Sequence, residues 1–62
     1  MSLIDEDKNT VLNKLLELNG GIWSLAVDEL DDMKERVIYG EDPEEILYEI
    51  GLEPDFVFAL LH

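Results

Sequence analysis

A chain of 62 residues holds one domain at most, near the lower size limit for folding alone, and it has no cysteine for disulfides or thiolate metal sites. Sixteen acidic residues against four basic ones give a net charge of −12. Such a surface repels phosphate backbones and anionic lipid, while an apolar fraction of 47% argues against disorder.

At the N-terminus, Asp5, Glu6 and Asp7 stand where the apolar core of a signal peptide would be needed. No apolar run approaches the roughly 20 residues that span a bilayer. Cytoplasmic residence without membrane attachment is the expectation.

The pattern predicts an all-α fold, a small single-domain bundle of about four helices. The first helix is expected over Ile4–Leu18, with Ser2 and Asp5 in a loose capping relationship. Ile4, Val11, Leu12, Leu15, Leu16 and Leu18 form its apolar stripe, and Asn19-Gly20-Gly21 ends it. The second helix, about Ile22 to Tyr39, carries Ile22, Ala26, Leu30, Met33 and Val37 at helical spacing. Its opposite face bears Asp28, Asp31, Asp32 and Glu35, with Asp32 and Arg36 placed as an i,i+4 ion pair. Trp23 is expected to close the end of the core.

Gly40-Glu41-Asp42-Pro43 is the clearest punctuation in the chain. Asp42 can cap a third helix, Pro43 to Ile50, with Pro43 in its first position and Glu45 completing a capping box. After Gly51-Leu52-Glu53, Pro54 opens a fourth helix. Its six consecutive apolar residues, Phe56 to Leu61, advance about 100° each and so coat the whole circumference. So short a chain has little material to cover such a helix, and the surplus points to a second protein surface.

Residues Glu45 to Leu61 resemble the helix-turn-helix pattern of transcription regulators. Ile46, Leu47 and Ile50 match the core of the first helix, Gly51-Leu52 the turn, and Val57 and Leu60 the anchors of the second. The resemblance implies a helix-turn-helix-like C-terminal pair whose second helix would be the recognition helix. Two departures stand out. Leu47 occupies a position where the family usually has a small residue. The outward positions offer Asp55, Phe56, Phe58, Ala59 and Leu61, with Glu53 at the head, in place of groups that read base edges. Direct nucleic-acid binding is therefore not expected.

Chemistry has little to build on. The single histidine is His62, the last residue, where it suits a helix C-terminus better than the role of a base. The hydroxyls of Ser2, Thr10 and Ser24 have no recognisable base beside them. Asp5-x-Asp7-x-Asn9 opens like a calcium loop, but Thr10 and Leu16 fall where glycine and glutamate are required. No catalytic residue, metal or cofactor is expected.

The expected function is that of a small acidic regulatory protein-binding module, an adaptor or inhibitor docking through its apolar C-terminal helix. Phe56, Phe58 and Leu61 would enter an apolar groove, extended by Tyr48, while Glu44, Glu45, Glu49 and Asp55 would steer a basic rim. The occupant is a different protein or a second copy forming a homodimer. One alternative is a DNA mimic that blocks a nucleic-acid-binding protein. About 4,000 Å² of surface would dilute its net charge roughly threefold relative to duplex DNA. A helix-turn-helix regulator is the other alternative.

Overall fold

Glycines that close helix ends turn the periodic apolar positions into a core, by folding four helical segments onto one another. The computed structural model describes residues 3–61, with side chains from residue 6 onward. Helix α1 spans Leu3–Leu18, α2 Trp23–Ile38, α3 Pro43–Glu49 and α4 Phe58–Leu61, the last entered through a 3-10 turn at Pro54–Val57. There is no strand among the described residues, and the chain is a small all-α domain. The expected capping by Ser2 and Asp5, the Ile4 side chain and the placement of His62 lie outside the described residues.

Spacing decides the core. Val11 and Leu15 of α1, four residues apart, meet Ala26, Leu30 and Met33 of α2, at steps of four and three. Ile46 and Leu47 of α3 and Ala59 and Leu60 of α4 complete the buried cluster. Leu12, Leu16, Val37, Ile50 and Leu52 are half-buried around it. No polar side chain among the described residues is buried, so the core carries no hydrogen-bonding burden. Helix α4 lies against both α1 and α2, while the 3-10 turn rests on α3. The C-terminal segment thereby closes the α1–α2 hairpin.

The ends of α2 and α3 share one closure. The Gly40 N–H donates to the Val37 carbonyl (3.0 Å) and the Glu41 N–H to the Arg36 carbonyl (3.0 Å). At the end of α3, Gly51 donates to Tyr48 (3.1 Å) and Leu52 to Leu47 (3.0 Å). These are Schellman caps, in which the residue after the helix is left-handed. Gly51 has φ +81°, a conformation that costs other residues about 1–2 kcal/mol. The nearest side-chain atom to an added Cβ would be Lys14 Cε at 3.7 Å, so the cost is in the backbone rather than in a collision. Gly51→Ala is accordingly expected to lower stability by about 1–2 kcal/mol, read as a lower urea midpoint with unchanged slope. An unchanged midpoint would contradict this.

Asp42 caps α3 as expected, its Oδ1 accepting the Glu44 N–H at 2.9 Å, with Pro43 in the first turn. The reciprocal arm of a capping box is not formed; the Glu45 side chain stays in solvent. Three further expectations are corrected. Trp23 does not close the core and is 58% exposed. It shares the face of Ala26 and Leu30 but stands one turn beyond the last buried position, past the end of the core cluster. Ile22 and Leu18 are exposed at the same end for the same reason. Finally, Pro54 opens a 3-10 turn rather than an α-helix, and α-helical winding begins only at Phe58.

Candidate functional site

Helical spacing decides which of the six apolar residues face outward: Phe56, Ala59 and Leu60 fall on one side, Phe58 and Leu61 on the other. Phe56 and Val57 lie half-buried against the core, and Ala59 and Leu60 are fully inside it. Phe58 and Leu61, three residues apart on a single helical turn, share the opposite face and are 52% and 50% exposed. The inward pair fixes the turn, and the outward pair is presented on it. Phe56, expected in a partner's groove, instead belongs to this domain's own packing.

Carboxylates are exposed on the segments next to this face. In a 3-10 turn, side chains three apart eclipse, which places Asp55 in line with Phe58. Along α3, against which the turn rests, Glu44, Glu45 and Tyr48 are exposed at helical spacings of three and four. Glu53 is exposed as well, and among the described residues no ion pair engages Glu44, Glu45, Glu53 or Asp55. No Lys or Arg follows Arg36 in the sequence.

Arg36 itself is placed differently from the expectation. It does not pair with Asp32; its guanidinium turns beyond the end of α2 to Glu41 and Glu49. Nε donates to both Glu41 oxygens (3.1 and 3.0 Å), and Nη2 donates to Glu41 Oε1 (2.9 Å) and Glu49 Oε2 (2.8 Å). The Schellman cap explains the choice. It brings Glu41, five residues on, back beside Arg36, where this motif ordinarily makes an apolar contact. The fork then reaches α3 through Glu49 and ties the α2 end to the helix that supports the site. Glu49, expected to steer a partner, is thus engaged within the domain.

The hydrogen bonds from Arg36 hold the Glu41 carboxyl below the usual carboxylate range, against the opposing effect of its partial desolvation. The same bonds, Glu41's first, raise the Arg36 pKa above its ordinary value, so the cation persists at every working pH. Glu41 therefore favours the folded state above the ordinary glutamate pKa of about 4.3. That contribution is lost as pH falls through its lower folded-state value. The urea midpoint of the unmodified chain should thus fall more steeply below about pH 4 than that of Glu41→Gln. Identical acid limbs for the two would contradict the pairing. Solvent access to all three groups keeps the effect small.

Of the residues that carry the helix-turn-helix resemblance, Ile46, Leu47 and Leu60 are buried, and Ile50, Leu52 and Val57 are half-buried. The matching second segment consists of the four-residue 3-10 turn and the single turn of α4. Among the described residues no three His, Asp or Glu side chains gather as metal ligands. No helix among them is long and apolar enough to cross a membrane. Comparison of the chain with protein-family profiles, curated proteins and solved structures returns no match.

The pattern of spacing could not reveal that Ile38 and Tyr39, at the end of α2, are the most exposed of the large apolar residues. The role of Arg36 did have a signal: it is the last cation before seven carboxylates.

Proposed function

We propose that this chain is a small acidic protein-binding module, an adaptor or inhibitor, that docks through the outward face of α4. The observation that carries this reading is the division of the apolar run. Ala59 and Leu60 anchor the turn, while Phe58 and Leu61 keep about half their surface in water. A rigid pair of large apolar side chains inside a polar rim is the composition of an interface centre. Glu44, Glu45 and Asp55 supply the rim, and Tyr48 extends the apolar area. The fitting partner has an apolar groove bordered by Lys or Arg.

A DNA mimic would use the same carboxylates without the anchor. Its chemistry is less well supported, because Glu41 and Glu49 are committed to Arg36 and Asp42 to the α3 cap. The net charge of −12 is also spread over 4063 Å². The two readings separate experimentally. The immobilised chain and its Phe58→Ser/Leu61→Ser variant are each exposed to native extract at low and high salt, and retained proteins are identified. Docking through α4 predicts a basic protein held by the unmodified chain, lost by the variant and only modestly sensitive to salt. Identical retention by both forms, with steep loss in salt, would favour mimicry and overturn the α4 reading.

A further inference from the structure

The closed end of the α1–α2 hairpin has a different character from the α4 face, and its argument does not rest on the α4 reading. From Leu18 to Val27 the chain has ten residues without a charge, in a protein of which 32% is Asp, Glu, Lys or Arg. Leu18, Ile22, Trp23 and Leu25 all lie within this stretch and are each about half exposed. They fall within eight residues around one bend, so they occupy one end of the molecule. Gly20 and Gly21 add no side chain there, and the space above them is open.

The bend is also held firmly. The Gly21 N–H donates to the Leu16 carbonyl at 2.7 Å. Asn19 Nδ2 donates to the Leu15 carbonyl at 2.8 Å and to Glu29 Oε2 at 2.6 Å, clasping α1 to α2. Glu29, one of the nearest acids along α2, is thereby drawn into the clasp. The patch needs little ordering before it is covered, which removes one cost of association.

We propose that this hairpin end is a self-association surface whose occupant is a second copy of the chain. Charge selects the occupant. A basic partner gains nothing from an uncharged patch and is drawn to the carboxylates elsewhere. Two copies, each carrying −12, repel one another over most of their surfaces and meet at least electrostatic cost where both present Leu18–Val27. A two-fold arrangement sets Trp23 and its neighbours against their own equivalents. Trp23 and Leu25, two apart on α2, point to different sides of the helix, so a single partner covers about three of these four side chains, roughly 300 Å² per copy and about 600 Å² in all. That is below the ~1,200 Å² of a standard stable interface, so the dimer is weak and dependent on concentration. Salt strengthens it by screening the repulsion, the opposite of its effect on a basic partner at α4.

Trp23 is the only tryptophan, so its emission reports on this surface alone. Light scattering and Trp23 fluorescence are measured on the unmodified chain from about 10 μM to about 1 mM, at about 50 and about 500 mM salt. The expected result is a mass rising from 7.1 kDa towards twice that value, with a parallel blue shift, both at lower concentration in high salt. Trp23→Ser should weaken association at least about tenfold, whereas Phe58→Ser should leave it unchanged. A mass of 7.1 kDa throughout, or a dimer whose Trp23 emission does not move, would overturn the proposal. So would association lost in Phe58→Ser, a result that would transfer self-association to α4.

Discussion

Replacing Leu15 by alanine is expected to remove a large share of the domain's stability. Leu15 is wholly buried, on the helix that α2 and α4 both lie against. Truncating such a leucine removes apolar contacts and leaves a cavity, at a cost of about 2–5 kcal/mol. A domain of 62 residues has only about 3–9 kcal/mol in total, at the usual ~0.05–0.15 kcal/mol per residue. A sharply lower urea midpoint than that of the unmodified chain is the expected reading. Leu18→Ala, on the same helix but half exposed, should cost less than about 1 kcal/mol. Equal losses for the two would mean that the core is not where the structure places it.

The second large effect concerns binding rather than folding. Phe58→Ser/Leu61→Ser should reduce affinity for the docked partner by about 30-fold or more, equivalent to about 2 kcal/mol, the threshold of an interface hot spot. The circular dichroism spectrum should be unchanged, because Ala59 and Leu60 hold α4 in place and are untouched. Glu44→Gln/Glu45→Gln, on the rim, should act mainly on the association rate and on salt dependence. A double serine variant that stays folded and binds as tightly as the unmodified chain would remove the apolar anchor from the account.

The core was largely legible in the sequence because helical spacing specifies a face. Val11 and Leu15, and likewise Ala26, Leu30 and Met33, were placed inward on spacing alone, and they are buried. Spacing does not specify depth along the axis. Leu18, Ile22 and Trp23 fit the pattern yet extend past the end of the core cluster. The Asp32–Arg36 pair was a local inference, and a three-dimensional cap overrode it by delivering Glu41 to the same guanidinium. At the candidate site, the run from Phe56 to Leu61 revealed an excess of apolar surface. Which residues would bear that excess depended on which face of the run met the core. Helical spacing groups Phe56 with Ala59 and Leu60, and Phe58 with Leu61, but a run apolar all round does not say which group turns inward. Packing against α1 and α2 settles it, burying Ala59 and Leu60 with Phe56 half-buried beside them.

The most direct test is site-specific photo-crosslinking. A benzophenone amino acid replaces Phe58 in one form of the full chain and Ile38, which is more exposed, in another. Both are irradiated in native extract. Docking through α4 predicts one discrete adduct with a basic protein from position 58, suppressed by excess unmodified chain, and no such adduct from position 38. The same products from both positions, or none from position 58, would contradict it.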